Sequence, residues 1–355
     1  MPFTASQLQR AGHYSLDAYL RNLPVDQITQ DRPLLAMLMA GKKAFPGGKQ
    51  YVQENIRKAY NSNFQWFRGD APVSYNKRDT ALQAQFAWGS AHDGFTLNED
   101  ELFQNGITII EGKVAKATED ETDRLIDLLQ ENVEVLREGF EQSFDYQLHL
   151  DGTQDAEAVA GLDFIIATSP SSGTVGGIDR SISGNSYWRN YAQTGISTTT
   201  QGTLIDGMEK AWRSCTRHSG QPDTILAGED FIDAFRKDAK GDITRYLSLN
   251  NGGSNGKKAA AALDPSSDLY FHGIQVKRDP TALDLDTALS PTITWQKRCY
   301  FLNSKTLKLR PAKGHDMITR QPPRVYNRYA YYWGLTWKGA LTCNKPNGNA
   351  VLSIA

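Results

Sequence analysis

The residues best suited to chemistry in this sequence stand apart rather than in working sets. Gly173-Thr174-Val175-Gly176-Gly177 is the nearest approach to a phosphate-binding loop. No Lys followed by Ser or Thr comes after it to hold phosphate and magnesium, so a turn-rich backbone loop accounts for it. The histidines are His13, His92, His149, His218, His272 and His315. Only His218 lies close to a cysteine, Cys215, and no second ligand pair stands at zinc-site spacing. A surface histidine beside a small buried thiol is the simpler reading. There is no G-x-S-x-G elbow. Neighbouring carboxylates such as Glu229 and Asp230 carry no spacing that separates an acid–base pair from solvated charge. The sequence therefore points to no catalytic residue, no cofactor and no metal. The weight moves from an enzyme toward a structural or binding role.

Composition narrows the class. The 355 residues are 39% hydrophobic and 22% charged, enough apolar material for a real core and too little charge for a disordered chain. The length suits roughly two domains. Lys and Arg number 39 against 40 Asp and Glu, for a net charge of -1. A protein that lived on nucleic acid by charge alone would be strongly basic. Mean hydropathy is -0.51, as in a soluble protein. Met1–Leu20 has no continuous apolar stretch of the kind an export signal needs. Leu34–Ala40 is far shorter than the roughly 20 residues of a membrane span. Cys215, Cys299 and Cys343 are odd in number and widely spaced, which fits a reducing compartment better than a disulfide framework.

The elements that would have to position any functional surface follow from periodicity. Residues 1–44 read as an arm, with a turn capped by Ser15 and an apolar anchor over Leu34–Met39 behind Pro33. Residues 42–104 are peculiar: six Ile, Leu or Val against eleven aromatics, with many Asn and Gln. Leu82, Ala84, Phe86 and Trp88 alternate as in a strand, and Asp93-Gly94 and Asn105-Gly106 are turn signals. This composition suits an extended hairpin that reaches from the body and buries against a partner, or else an aromatic-rich β domain. Thr118 and Glu121 form a capping box for a helix over 118–148, striped by Leu125, Leu129, Val133, Leu136, Phe140, Phe144 and Leu148. Asp151-Gly152 ends it. Strands are expected over Leu162–Ala167, Asp223–Ala227, Leu269–Lys277, Arg298–Leu309 and Tyr331–Thr342, with helices over Thr203–Arg217 and Phe231–Asp238. Asn250–Lys258 is Gly/Asn-rich loop.

Gly176-Gly177-Ile178-Asp179-Arg180, followed by Tyr187-Trp188-Arg189-Asn190, resembles a signature of the major capsid proteins of tailed bacteriophages with the HK97 fold. Pro222–Leu226, Phe271–Val276 and Tyr300–Asn303 follow in the same order as weaker matches. The resemblance covers all but about the first 40 residues. It implies an α+β, HK97-like capsid fold: an N-terminal arm (1–41), an extended E-loop hairpin (42–110), a P domain with a long spine helix (111–160), most of an A domain (161–325), a P-domain closing strand (326–342) and an A-domain return (343–355). It implies a coat protein that self-assembles into hexamers and pentamers of an icosahedral head around double-stranded DNA, built in the bacterial host cytoplasm and carried in the virion. Partners would be further copies of the chain, with portal, scaffolding and decoration proteins and non-specific DNA contact, and no membrane. Trp66, Phe67, Phe86 and Trp88 are the candidate inter-subunit residues. Gly176, Gly177, Arg180, Trp188 and Arg189 are candidates for stabilising the loop after the spine helix. Some relatives form Lys–Asn crosslinks; Lys49, Lys58 and Lys77 stand in the hairpin, but no motif marks a reactive trio. Two alternatives stand beside this reading: an encapsulin-like nanocompartment shell, and a carbohydrate-active enzyme whose aromatics stack on sugars.

Overall fold

A computed structural model describes residues 30–98, 100, 119–217, 219–249, 269–320 and 330–355, with side chains described for all but 119–129, 240–249 and 330. In chain order, α1 (Pro33–Ala40) leads to β1 (Tyr51–Arg57), β2 (Ala81–Ala87) and β3 (Gly89–Asn98). The long helix α2 (Glu119–His149) and the single turn α3 (Leu162–Ile165) follow, then the two-residue strands β4 (Thr174–Val175) and β5 (Ile178–Asp179). A 3-10 turn over Ser183–Trp188 precedes β6 (Tyr191–Ile196), α4 (Thr203–Thr216), β7 (Thr224–Ala227) and α5 (Glu229–Leu249). The chain closes with β8 (Tyr270–Phe271), β9 (Ile274–Arg278), α6 (Thr281–Leu289), β10 (Arg298–Leu302), β11 (Leu307–Pro311), β12 (Ile318–Arg320), β13 (Ala330–Cys343) and β14 (Ala350–Ile354).

Two sheets organise these elements. One has six strands in the order β6-β14-β10-β7-β9-β8. Its central strands β10 and β14 are buried at every residue, because the sheet is covered on both faces. Cys299 and Phe301 of β10 point into a core closed by α4 and α5, through Leu204, Met208, Phe231 and Phe235. Tyr300 and Leu302 point the other way, into a second core that reaches the other sheet. That sheet is built on β13, with β3 along one edge over Gly89–Asn98 and β11 and β12 in tandem along the other. Its apolar face carries Leu335, Trp337 and Leu341, and α2 lies on it through Phe140, Phe144 and Leu148. Phe144 meets Trp337 with ring centroids 4.6 Å apart. The helix α1 adds Leu34, Leu35 and Leu38 to the same core.

Several expectations are corrected. Leu162–Ala167 is not a strand: Ile165 and Ile166 donate to Gly161 and Leu162 carbonyls and form a helical turn. A short buried apolar run fits either structure. Asp93-Gly94 is not a turn, because ten consecutive residues of β3 pair with Ala330–Gly339 of β13. Gly94 is instead required by close approach: a Cβ there would sit 2.7 Å from the Trp333 carbonyl oxygen. Arg298–Leu309 is two strands, split by a turn in which the Asn303 carbonyl accepts from the backbone of Thr306 and Leu307. Leu269–Lys277 is likewise a hairpin, turned by His272 and Gly273, both with positive φ. The α5 helix runs to Leu249, well past Asp238. The apolar stripe of α2 is buried from Phe140 onward, whereas Val133 is exposed. Ser15, Asn105-Gly106 and Asn250–Lys258 lie outside the described residues.

Trp337 is completely buried and forms the contact between β13 and α2. Replacing it with Ala removes that contact and leaves a large cavity, so Trp337→Ala is expected to cost about 3–5 kcal/mol in urea unfolding. A loss below about 1 kcal/mol, typical of surface positions, would show that the helix is held by something else.

Candidate assembly interface

The hairpin β1–β2 pairs in register from Tyr51↔Ala87 to Arg57↔Ala81. One face of it, Val52, Ile56, Ala84 and Phe86, is buried in the chain's own core. Glu54, between them, accepts from Arg310 Nε at 2.9 Å and from the Thr342 hydroxyl at 3.1 Å. The base of the hairpin is therefore fixed to β11 and β13 rather than reaching freely from the body. The few aliphatics of this segment suffice because the body supplies the other half of their packing.

Beyond the base, residues 58–80 have no strand or helix of their own and are almost wholly exposed. The amides conspicuous in the composition act here as intramolecular ties. Lys58 N–H donates to the Thr80 carbonyl at 2.9 Å, and Asn61 Nδ2 to that of Asp79 at 2.7 Å. Asn63 Nδ2 and Gln65 Nε2 both donate to Ser74. Lys58 and Asp79 form an ion pair at 2.5 Å. Two arms of loop are thus held side by side by side chains where a backbone ladder has stopped. On them stand Tyr60, Phe64, Trp66, Phe67 and Tyr75, all exposed, with Trp66 and Tyr75 at 91%. Phe64 and Trp66 touch only edge to face, with centroids 5.2 Å apart. Isolated exposed aromatics are ordinary, but five on one short loop leave an unusual amount of apolar ring surface in water.

Of the four residues expected at an interface, Trp66 and Phe67 lie on this loop, and Trp88, half-exposed, donates its indole N–H to the Lys49 carbonyl at 3.3 Å. Phe86 is a correction. It is 3% exposed and packs inside its own chain, beneath the turn that joins β4 to β5. That turn consists of Gly176 and Gly177, with φ of +61° and +77°. Two consecutive left-handed residues are what a two-residue mirror-image hairpin turn needs. A Cβ on Gly176 would lie 3.0 Å from the Ala84 Cβ and 3.3 Å from the Phe86 ring. The Gly176 carbonyl also accepts from Gln85 N–H at 2.9 Å, which ties the turn to β2.

Arg180, Trp188 and Arg189 surround this turn. The Trp188 indole donates to the Val175 carbonyl at 2.8 Å. Arg189 Nε donates to the Arg180 carbonyl at 2.7 Å, and its Nη2 to the carbonyls of Ser181 and Ile182 at 3.2 and 3.1 Å. The Arg180 guanidinium is fully buried and donates to the Ile165 carbonyl, while its Nε and Nη1 have no partner among the described residues. Burial pulls its pKa down to about 10.

Among the described residues, one group has ligand atoms close enough to hold a metal: Asp145, His149 and Asp279, all buried. Sequence reasoning passed over it. Asp145 and His149 sit one helical turn apart on α2, a legible spacing, but Asp279 is distant in sequence and joins them only through the fold. His218, the other histidine considered, lies outside the described residues, and Cys215 beside it is a buried free thiol pushed up to about 12 by burial. No helix among the described residues is long and apolar enough to cross a membrane.

No family model matches the chain, and no curated protein matches its sequence. Solved structures do match its fold. The cyanophage A-1(L) capsid asymmetric unit aligns over 94% of both chains with a TM-score of 0.59 at 14% identity. The capsid of Myoviridae phage XM1 covers 95% of this chain and 98% of its own, with a TM-score of 0.54 at 13% identity. The capsid of a native GTA particle covers 95% of this chain and 96% of its own, with a TM-score of 0.54 at 9% identity. The chain has the α+β fold of these capsid subunits along nearly its whole length.

The guanidinium fork of Arg189 is the one group that bridges three successive carbonyls after the Gly176–Gly177 turn. Hydrogen bonds to a charged group are worth about 1.5–3 kcal/mol. Arg189→Ala is expected to lower stability by about 2 kcal/mol in urea unfolding, and Arg189→Lys to recover only part of it, since ammonium lacks the planar fork. Full recovery by Lys would show that charge alone matters.

Proposed function

We propose that the chain is the major capsid protein of a tailed-phage-type particle, self-assembling into hexamers and pentamers of an icosahedral shell around double-stranded DNA. The observation that carries this reading is the aromatic loop 58–80, exposed on a chain that aligns with capsid subunits over about 94% of its length. An isolated subunit gains nothing from five solvated rings. A neighbouring copy that covers them removes apolar area from water at about 25 cal/mol per Å², before the cost of association is subtracted. Weak contacts of this kind become a stable particle when symmetry repeats and closes them.

In this reading the loop and its hairpin base form the E-loop over an adjacent subunit. Helix α2 with the β13 sheet forms the P domain, and the six-stranded sheet with α4 and α5 forms the A domain. Gly176, Gly177, Arg180, Trp188 and Arg189 stabilise the loop that follows the spine helix and, through Phe86, hold the base of the E-loop. The chain acts by assembly and not by catalysis, in the virion, after assembly in the host cytoplasm. Portal, scaffolding and decoration proteins are its further partners. The net charge of -1 suits an inner wall that touches packaged DNA without gripping its phosphates.

The double substitution Trp66→Ala and Phe67→Ala tests this directly. Both rings are solvated, so folding stability should stay within about 0.5 kcal/mol of the parent. Electron microscopy should show that the folded protein no longer closes into shells. Normal shells from the double variant would refute the assignment of this loop to the interface.

A further inference from the structure

We propose that Asp145, His149 and Asp279 form a proton-dependent lock that fastens the C-terminal end of α2 to the six-stranded half of the subunit. The claim that releasing it loosens an assembled shell rests on the capsid reading above; the lock itself does not.

His149 is buried and occupies the last turn of α2, where the helix dipole favours a cation. Its Nδ1 lies 2.8 Å from the Asp145 backbone carbonyl, and its Nε2 lies 2.7 Å from Asp279 Oδ2. A carbonyl and a carboxylate only accept, so satisfying both requires an N–H on each ring nitrogen, which is the imidazolium. With both nitrogens donating, neither offers a lone pair to a metal. Asp279 directly follows β9, and its own N–H donates to the Ala227 carbonyl of β7 at 3.0 Å. One bond therefore joins the helix that covers the β13 sheet to the end of the other sheet.

The surroundings complete the lock. Asp145 Oδ1 accepts from Leu35 N–H of α1 at 3.1 Å, and its Oδ2 accepts from the Thr281 hydroxyl of α6 at 2.8 Å. Asp279 Oδ1 accepts from Thr281 N–H at 3.2 Å. The edge contact with the Trp295 ring, centroids 5.8 Å apart, closes another side. Behind Trp295, Arg298 stacks at 4.3 Å and is neutralised by Asp163 at 3.0 Å, with Tyr300 beside it. The charged groups near the imidazolium are thus Asp145 on its own helix, Asp279 from the sheet, and the Arg298–Asp163 pair beyond the indole. Burial alone would push His149 down, but the Asp279 and Asp145 charges and their hydrogen bonds outweigh it and hold the ring up at about 9. Burial pushes the Asp145 carboxyl up, and the charge on His149 opposes that.

The sign follows from linkage. The folded chain keeps a proton that the unfolded chain releases near the ordinary histidine value of about 6.5. The lock contributes fully below that value, and its contribution is lost as pH rises through about 9.

The test uses the unassembled full chain with its histidines isotope-labelled. One imidazole signal, absent in His149→Gln, should titrate near pH 9. Amide-exchange protection over residues 140–149 and 279–285 should fall across the same range. Asp279→Asn keeps the hydrogen-bond acceptor but removes the charge, so it should move both transitions at least tenfold in proton concentration toward neutral pH. It also serves if His149→Gln fails to fold. A His149 signal titrating at or below its ordinary value, protection indifferent to that titration, or stabilisation by added zinc that a chelator reverses would each overturn the lock. On shells, Asp279→Asn should lower the pH at which alkali disrupts them. If the unassembled chain titrates as expected but no shell ever forms, the lock stands and the capsid reading fails.

Discussion

The constraint on which the rest depends is that the hairpin β1–β2 has only one face to bury, and the body has already taken it. Val52, Ile56, Ala84 and Phe86 fill the chain's own core. What remains beyond Arg57 and before Ala81 faces outward, and no side chain among the described residues covers its aromatic rings. The described body is packed while these rings stay in water. Under the proposed function this is what assembly requires: a packed body, and apolar area whose burial waits for a neighbour.

The body meets that need by fixing the base of the hairpin from two sides. The Gly176–Gly177 turn presses on Ala84 and Phe86, and Arg310 and Thr342 hold Glu54. The Glu54 anchor leads back to β13, the 14-residue strand that pairs with β3, β11 and β12 and carries α2 on its apolar face. Under the proposed assembly, force on the loop would therefore pass into the β13 sheet and α2, and through His149 and Asp279 into the six-stranded sheet. No flexible linker interrupts that route among the described residues. Such continuity would serve the proposed role, in which one geometry is repeated around a closed particle.

Much of this architecture was legible in the sequence where one physical signal dominated. The stripe of α2 and the alternation in β13 located both elements to within a residue or two, because each repeats its apolar residues at one period over most of its length. The shortage of aliphatics among residues 42–104 correctly marked the segment as unusual. The sequence could not show which aromatics were already spoken for. Phe86 and Trp66 are equally aromatic, and only the fold brings the diglycine turn down onto Phe86. Leu162–Ala167 and Asp93-Gly94 both carry local patterns that fit two structures; the first closes a helical turn through its own backbone, and pairing with β13 keeps the second extended. The Asp145–His149–Asp279 cluster lay hidden because its third member comes from another sheet. The Gly-Gly-Ile motif was informative because a left-handed turn with no room for a Cβ leaves chemistry little choice of residue.

Whether this chain builds shells is decided by electron microscopy of the purified protein after size-exclusion chromatography. Closed shells or capsomer-like rings are expected, formed either by the chain alone or on mixing with a lysate of phage-infected cells that supplies a scaffold. A uniform monomer near the chain mass of 39.5 kDa, unchanged at high concentration and by that lysate, would contradict the proposed function.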